Sequence, residues 1–223
     1  MLAAVVIAVT VARPASAEGE PSASASSRRP GLIDVGVRTA YAWPLGSFDA
    51  GTHAADVSYG GIPLALDATV RIPSASGWSV AVGGLLAYAP TIPKLCTSTS
   101  ECTASIGHDT ELVALARVRA PHLAFVLPEV EIGTGWAWSS RSLVDRDFTS
   151  TRKWTGPVLL RAALVPSLSL GARTRFGVVL GGSVARSTAF ALEAPGVTWR
   201  GLDGARLHGT IDVGFRIAID FGN

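Results

Sequence analysis

The sequence predicts an all-β protein, namely an eight-stranded antiparallel up-and-down transmembrane β-barrel. The clearest observation is segment 211–221, in which every odd position is large and apolar and every even position is small or charged. Successive side chains of a strand point to opposite faces, so this segment has one apolar face and one face with Asp212, Arg216 and Asp220. Two further observations agree: seven other segments show a similar period, and the connections between them alternate between long and short.

Length and composition exclude several classes of protein. A chain of 223 residues fits one domain, and its mean hydropathy is +0.36. No internal segment has the ~18 to 20 uncharged apolar residues that a spanning helix needs, so a helical membrane protein is excluded. The net charge is only +2 and the basic residues are scattered. No nucleic-acid partner is therefore expected.

The N-terminus has the pattern of a secretory signal peptide. Residues 1–12 are apolar, small residues follow at 15–17, and cleavage is expected before Glu18. The first basic residue is Arg13, so either the amino group of Met1 supplies the positive charge or the true start lies upstream of Met1, and we favour the upstream start. A retained anchor is the alternative, but the segment is too short to span a membrane. The predicted organisation is a signal peptide at 1–17, a disordered lead-in at 18–30 and an outer-membrane β-barrel at 31–223.

The two cysteines, Cys96 and Cys102, lie close together in a predicted long loop. In an exported protein such a pair predicts a disulfide, which would contribute about 2 kcal/mol for so short a ring. Zinc is the alternative, but it requires two more ligands, and His108 is the only histidine nearby. The sequence therefore predicts a disulfide and no metal or cofactor.

Most of the predicted strands alternate cleanly, and two of them, the fourth and the fifth, have irregular features. In the fourth strand, Val113 and Leu115 share the charged face. In the fifth strand a bulge is expected near Pro128, because proline cannot donate to the ladder. In the sixth strand the period puts Val158 and Leu160 on one apolar face. The eight predicted strands are residues 32–43, 62–72, 78–89, 110–120, 123–139, 154–170, 175–186 and 211–221.

The predicted connections alternate in length, as in outer-membrane barrels with long extracellular loops and short periplasmic turns. This alternation places both termini in the periplasm. The long segments are 44–61, 90–109, 140–153 and 187–209, and the short turns are 73–77, 121–122 and 171–174.

Aromatic residues fall at the predicted strand ends, where rings with one polar edge favour the membrane interface. They form two predicted girdles, one beside the long loops and one beside the short turns. The first comprises Tyr41, Trp43, Tyr88, Trp136, Trp138 and Trp154, and the second comprises Trp78, Phe176 and Phe221.

Through its strand count, loop asymmetry, girdles and terminal run, segment 31–221 resembles the small eight-stranded outer-membrane barrels of the OmpA or OmpX type. The resemblance is one of pattern, without a specific motif. It implies the outer membrane of a Gram-negative bacterium, outer-membrane lipid as surroundings, and the barrel-assembly machinery as a partner during biogenesis. The chain departs from the family's usual aromatic terminus, because Gly222 and Asn223 follow Phe221.

The charged face predicts a salt-bridged lumen. Eight strands enclose room for side chains or one small ligand, so a wide pore is not expected, although a narrow gated ion path stays open. Seven acids and seven arginines are predicted to point inward: Asp34, Arg38, Asp67, Arg71, Glu111, Arg117, Arg119, Glu129, Glu131, Arg161, Arg175, Asp212, Arg216 and Asp220.

An outer-membrane enzyme that hydrolyses or transfers lipid acyl chains is one functional alternative. Such chemistry needs a nucleophile, a histidine base and a carboxylate within reach of one another. Of the four histidines, only His108 has a local trio, with Ser105 and Asp109. Adjacent residues of a strand point in opposite directions, so no catalytic residue is assigned.

The other alternative is a soluble, exported, lipocalin-like barrel whose apolar face lines a cavity for a hydrophobic ligand. Three observations favour the membrane barrel over the soluble one. They are the two aromatic girdles, the confinement of charge to one face, and the presence of only two lysines, Lys94 and Lys153. The predicted role is structural or interactive, with loops such as 51–61 and 193–208 contacting a partner that the sequence does not identify.

Overall fold

The computed structural model describes residues 32–49, 52–73, 77–93, 104–121, 123, 125–145, 148–201 and 206–221. The predicted signal peptide, the lead-in and the Cys96–Cys102 disulfide lie outside the described residues and stay predictions.

Eight long antiparallel strands form a closed barrel. Each strand pairs with the next along the chain, and the eighth pairs back to the first, from Ile33 opposite Phe221 to Gly46 opposite His208. The predicted eight-stranded up-and-down fold is therefore confirmed. In order, the first to eighth strands are Ile33–Asp49, Leu64–Pro73, Ser79–Pro93, Ala104–Arg119, Glu129–Asp145, Phe148–Leu164, Thr174–Arg186 and Leu207–Phe221.

The two ends of the barrel differ. We call the end with the long connections the loop end and the other the turn end. At the loop end the hairpin of Ala189–Ala194 and Val197–Arg200 pairs with the sixth strand. The remaining short elements are Thr52–His53, helix Ala54–Val57 and Ser58–Gly61 at the loop end, and Val126–Leu127 and Ser167–Ser169 at the turn end. Within the described ranges, no helix has the length and apolarity to cross a membrane.

The long connections are shorter than predicted, because the strands continue past the apolar pattern at the loop end. The fifth strand reaches Asp145 and the sixth begins at Phe148, so most of the predicted loop 140–153 is a hairpin. Serine and threonine are common there, and threonine suits a strand as well as apolar residues do. At the turn end, Pro128 separates Val126–Leu127 from the fifth strand, so the predicted bulge is a break in the strand.

The outer wall is apolar and the lumen is charged. In the eighth strand Ile217 is 52% exposed whereas its neighbour Arg216 is 2% exposed. Val113 and Leu115 point inward as predicted and pack with Leu85 in a small apolar cluster within the lumen. These facings contradict the lipocalin-like alternative, which requires the apolar face to line the cavity.

A β-bulge in the sixth strand inverts its facing. Leu160 lies opposite Val184 and Val158 lies opposite Ala185, so Leu159 is an extra residue without a place in the register. Leu159 and Leu160 both point outward, and Val158 is fully buried in the lumen. The prediction that Val158 shares the outer face of Leu160 is wrong, because a bulge shifts the period by one residue.

Because of the same bulge, Trp154 points to the face opposite the predicted one. Its side chain is 2% exposed and stacks on Phe48 inside the barrel, with ring centroids 4.8 Å apart. The assignment of Trp154 to an outer girdle is therefore wrong. The other girdle aromatics point outward; Tyr41 and Phe176 are half-buried, and Trp43, Trp78, Tyr88, Trp136, Trp138 and Phe221 are exposed.

Candidate functional site

The turn-end half of the lumen is filled by one ion-pair network. All fourteen charged residues predicted to point inward take part in ion pairs, and eleven of them are linked to one another. We call these eleven the turn-end network: Asp34, Arg38, Asp67, Arg71, Arg117, Arg119, Glu129, Glu131, Arg175, Arg216 and Asp220.

Arg117 donates hydrogen bonds to three carboxylates of the turn-end network. Its guanidinium donates to Glu131 at 2.7 Å, to Asp34 at 3.0 Å and to Asp67 at 2.8 Å. Arg216 donates to the same Asp67 at 2.6 and 3.0 Å. These groups come from five different strands, so the planar guanidinium forks tie distant walls of the barrel together.

The turn-end network is one charge out of balance, since it contains six arginines and five carboxylates. A separate triad lies closer to the loop end, and in it Arg161 contacts Glu111 at 2.7 Å and Asp212 at 2.9 Å. This triad carries one excess negative charge. The fourteen residues together are neutral, which limits the cost of removing them from water.

An aromatic cap lies in the lumen at the loop end. We define the aromatic cap as Phe48, Trp154, Phe190 and His208. Phe48 lies between Trp154 at 4.8 Å and His208 at 4.7 Å, and Phe190 packs on Trp154 at 5.4 Å. The guanidinium of Arg141 lies 5.3 Å from the Phe48 ring centroid. The sequence did not reveal the aromatic cap, because the bulge that points Trp154 inward has no local signal.

His208 is neutral at physiological pH. It lies at the level of Gly46, beyond Trp43 toward the loop end. Burial lowers the pKa of His208 from 6.5 to about 4, and the cation of Arg141 acts in the same direction while Asp109 opposes it. Its Nδ1 lies 3.3 Å from the hydroxyl of Ser187. An uncharged ring suits its packing against Phe48.

Two of the cavities in the described part of the lumen are small. Two cavities of about 40 Å³ each lie between the turn-end network and the aromatic cap. Asp109 lines both cavities and Asp212 lines one, and each carboxylate has an oxygen without a protein partner. Such cavities suit water but not a larger ligand. Among the described residues, no group of three or more acids, histidines or cysteines could hold a metal ion.

The trio around His108 is not brought together. His108 lies on the outer wall and stacks against Tyr88, with centroids 5.5 Å apart. Asp109 points inward and pairs with Arg141 at 2.9 Å. The side chain of Ser105 lies outside the described residues. Asp109 therefore does not orient His108, because the two side chains are on opposite faces of one strand.

The opposite facings of Trp154 and Trp138 can be measured by quenching tryptophan fluorescence with brominated lipid. Trp138 is exposed on the outer wall whereas Trp154 is buried in the lumen. Trp138→Phe is expected to reduce the lipid-quenched signal clearly, and Trp154→Phe to leave it nearly unchanged. Equal losses from the two variants would contradict the inward facing of Trp154.

The chain is similar to known proteins in fold alone. No known family model and no curated protein sequence matches the chain. Among solved structures, Neisserial surface protein A is similar with a TM-score of 0.48 and 12% identity, covering 87% of this chain and 100% of that chain. The outer membrane protease OmpT from Escherichia coli is similar with a TM-score of 0.48 and 6% identity, covering 86% of this chain and 94% of that chain. At these identities no function is transferred.

Proposed function

We propose that the protein is a bacterial outer-membrane β-barrel whose filled lumen makes it a rigid, non-conducting scaffold for surface interaction. The observation that carries this proposal is the reversal of an ordinary soluble fold: the charged residues are buried in the lumen and the large apolar side chains cover the outside. Exposed apolar area of this extent is stable in lipid but not in water. The loop end would then face the outside of the cell, with both termini in the periplasm.

The lumen supports a structural role rather than transport. The turn-end network occupies one half of the lumen, and the aromatic cap lies toward the other end. An ion crossing this lumen would have to displace several buried, mutually bonded charges. We therefore assign no conduction to the resting barrel.

The interacting surface in this proposal is the loop end. The hairpin of Ala189–Ala194 and Val197–Arg200 extends the wall beyond the barrel, and its outer strand is exposed along its whole length. Val197 and Trp199 carry large apolar side chains on that exposed strand. The hairpin overlaps the segment 193–208 that the sequence predicts to contact a partner.

The proposal predicts a heat-modifiable barrel that does not conduct. The chain from Glu18, folded into lipid or detergent, is expected to migrate differently on a gel before and after boiling and to show β-rich circular dichroism. In planar bilayers it is expected to give no unitary currents, because the lumen is filled. A chain that folds in plain buffer and shows no gel shift would contradict the membrane location, and steady unitary currents would contradict the closed lumen.

A further inference from the structure

A groove lies on the outside of the barrel wall at the loop end. The facing of its walls follows from the register, because residues paired across antiparallel strands point to the same side of the sheet. Trp154 points inward, so its neighbours Lys153 and Thr155 point outward. Lys153 pairs with Ala191 and Ala191 pairs with Arg200, so these side chains share the outer face.

The groove is large and mostly apolar. Its volume is about 720 Å³, and it lies between the fifth and sixth strands and the hairpin of Ala189–Ala194 and Val197–Arg200. Trp138 forms part of its surface, while Ala189, Ala191 and Gly201 are too small to fill it. This volume is within the range of a site for an organic ligand, in contrast to the cavities of the lumen.

Two cations line the groove. Arg200 is exposed and has no ion pair among the described residues. Lys153 contacts both oxygens of Glu193 at 2.7 and 2.8 Å, but the two side chains are 49% and 46% exposed. An exposed pair of this kind contributes little, so Lys153 can exchange Glu193 for another anion.

The groove opens on the face of the barrel that lipid would cover. Trp136 and Trp138 point outward beside it, at the level of an aromatic girdle. Further along the sixth strand toward the turn end, Leu159 and Leu160 both point outward because of the bulge. An apolar chain that starts in the groove could therefore continue along the wall, whereas a soluble anion would use only the cations.

We propose that this groove binds a lipid of the surrounding leaflet whose phosphate headgroup carries net negative charge. The headgroup contacts Lys153 and Arg200, and an acyl chain lies against Trp138 and the two alanines of the hairpin. This inference rests on the proposed membrane location. It assigns the hairpin a second role, in which the lipid fixes its position against the barrel wall.

The test is lipid retention by the folded chain in neutral detergent, measured by native mass spectrometry. Phosphatidylglycerol and phosphatidylcholine with identical acyl chains are compared, and phosphatidylglycerol is expected to be retained preferentially. Lys153→Gln and Arg200→Gln are each expected to lower its retention about fivefold. Glu193→Gln is expected to raise it, because Lys153 loses its competing carboxylate. Ala191→Phe fills the groove without changing charge and is expected to lower it.

Arg186→Gln is the matched control, since Arg186 is exposed at the same end but does not line the groove. It is expected to leave retention unchanged. Equal retention of the two lipids, or losses in Arg186→Gln as large as in Arg200→Gln, would overturn the groove proposal. Heat modifiability in the same detergent separates the groove proposal from the proposed membrane location. An intact barrel without lipid preference overturns only the groove proposal, whereas failure to form a barrel overturns both.

Discussion

Replacing Asp34 by asparagine is expected to lower the free energy of unfolding by about 3–5 kcal/mol. Asp34 accepts hydrogen bonds from Arg117 at 3.0 Å and from Arg119 at 3.3 Å. It is also ion-paired with Arg175 and Arg216. The turn-end network already has one arginine more than it has carboxylates, so the substitution leaves two buried positive charges in excess. Equilibrium unfolding by denaturant in lipid vesicles measures the loss.

Arg119→Gln is the matched comparison for Asp34→Asn. Arg119 pairs with Asp34 and Glu129, and it is the most exposed arginine of the turn-end network, at 10% of its side chain. Removing it leaves five arginines with five carboxylates, so a smaller loss is expected than for Asp34→Asn. If Arg119→Gln cost as much as Asp34→Asn, the charge imbalance would not determine the stability of the turn-end network.

The sequence was sufficient to identify the charged residues of the turn-end network and of the Arg161 triad. A charged residue in a period-two segment must lie on the face opposite the apolar residues, so the inward set could be read strand by strand. The ion pairs could not be read in the same way. Arg117 contacts Asp34 and Asp67 because the stagger and tilt of the strands place the three residues at the same height in the barrel. The stagger and tilt are properties of the closed barrel as a whole and not of any one strand.

The irregular parts of the structure were less predictable. The bulge at Leu159 adds one residue inside a run of apolar side chains, so either phase is compatible with the local sequence. Because of this extra residue, Trp154 points into the lumen as part of the aromatic cap, and Lys153 points outward and lines the outer groove. One inserted residue thus determines both sites at the loop end.

The outer wall has the height of a membrane core. In the eighth strand ten residue steps separate Ile211, which pairs with Trp43, from Phe221 at the turn end. At a rise of about 3.4 Å per residue and a strand tilt of about 40°, this segment spans roughly 25 Å along the barrel axis. The apolar band of outer-membrane barrels has about the same height. Ile217 therefore lies close to the middle of the band.

Ile217→Lys is accordingly expected to cost about 2–4 kcal/mol of folding free energy in lipid, because its ammonium would lie near the bilayer midplane. Leu207→Lys is the matched control on the same strand. Leu207 is similarly exposed, at 56% against 52% for Ile217, but it lies four residues beyond Ile211 toward the loop end. A lysine at position 207 is expected to cost only about 0–1 kcal/mol of folding free energy, because this position lies near the membrane interface. Denaturant unfolding in vesicles measures both variants, and equal costs would show that no depth-dependent apolar medium surrounds the barrel.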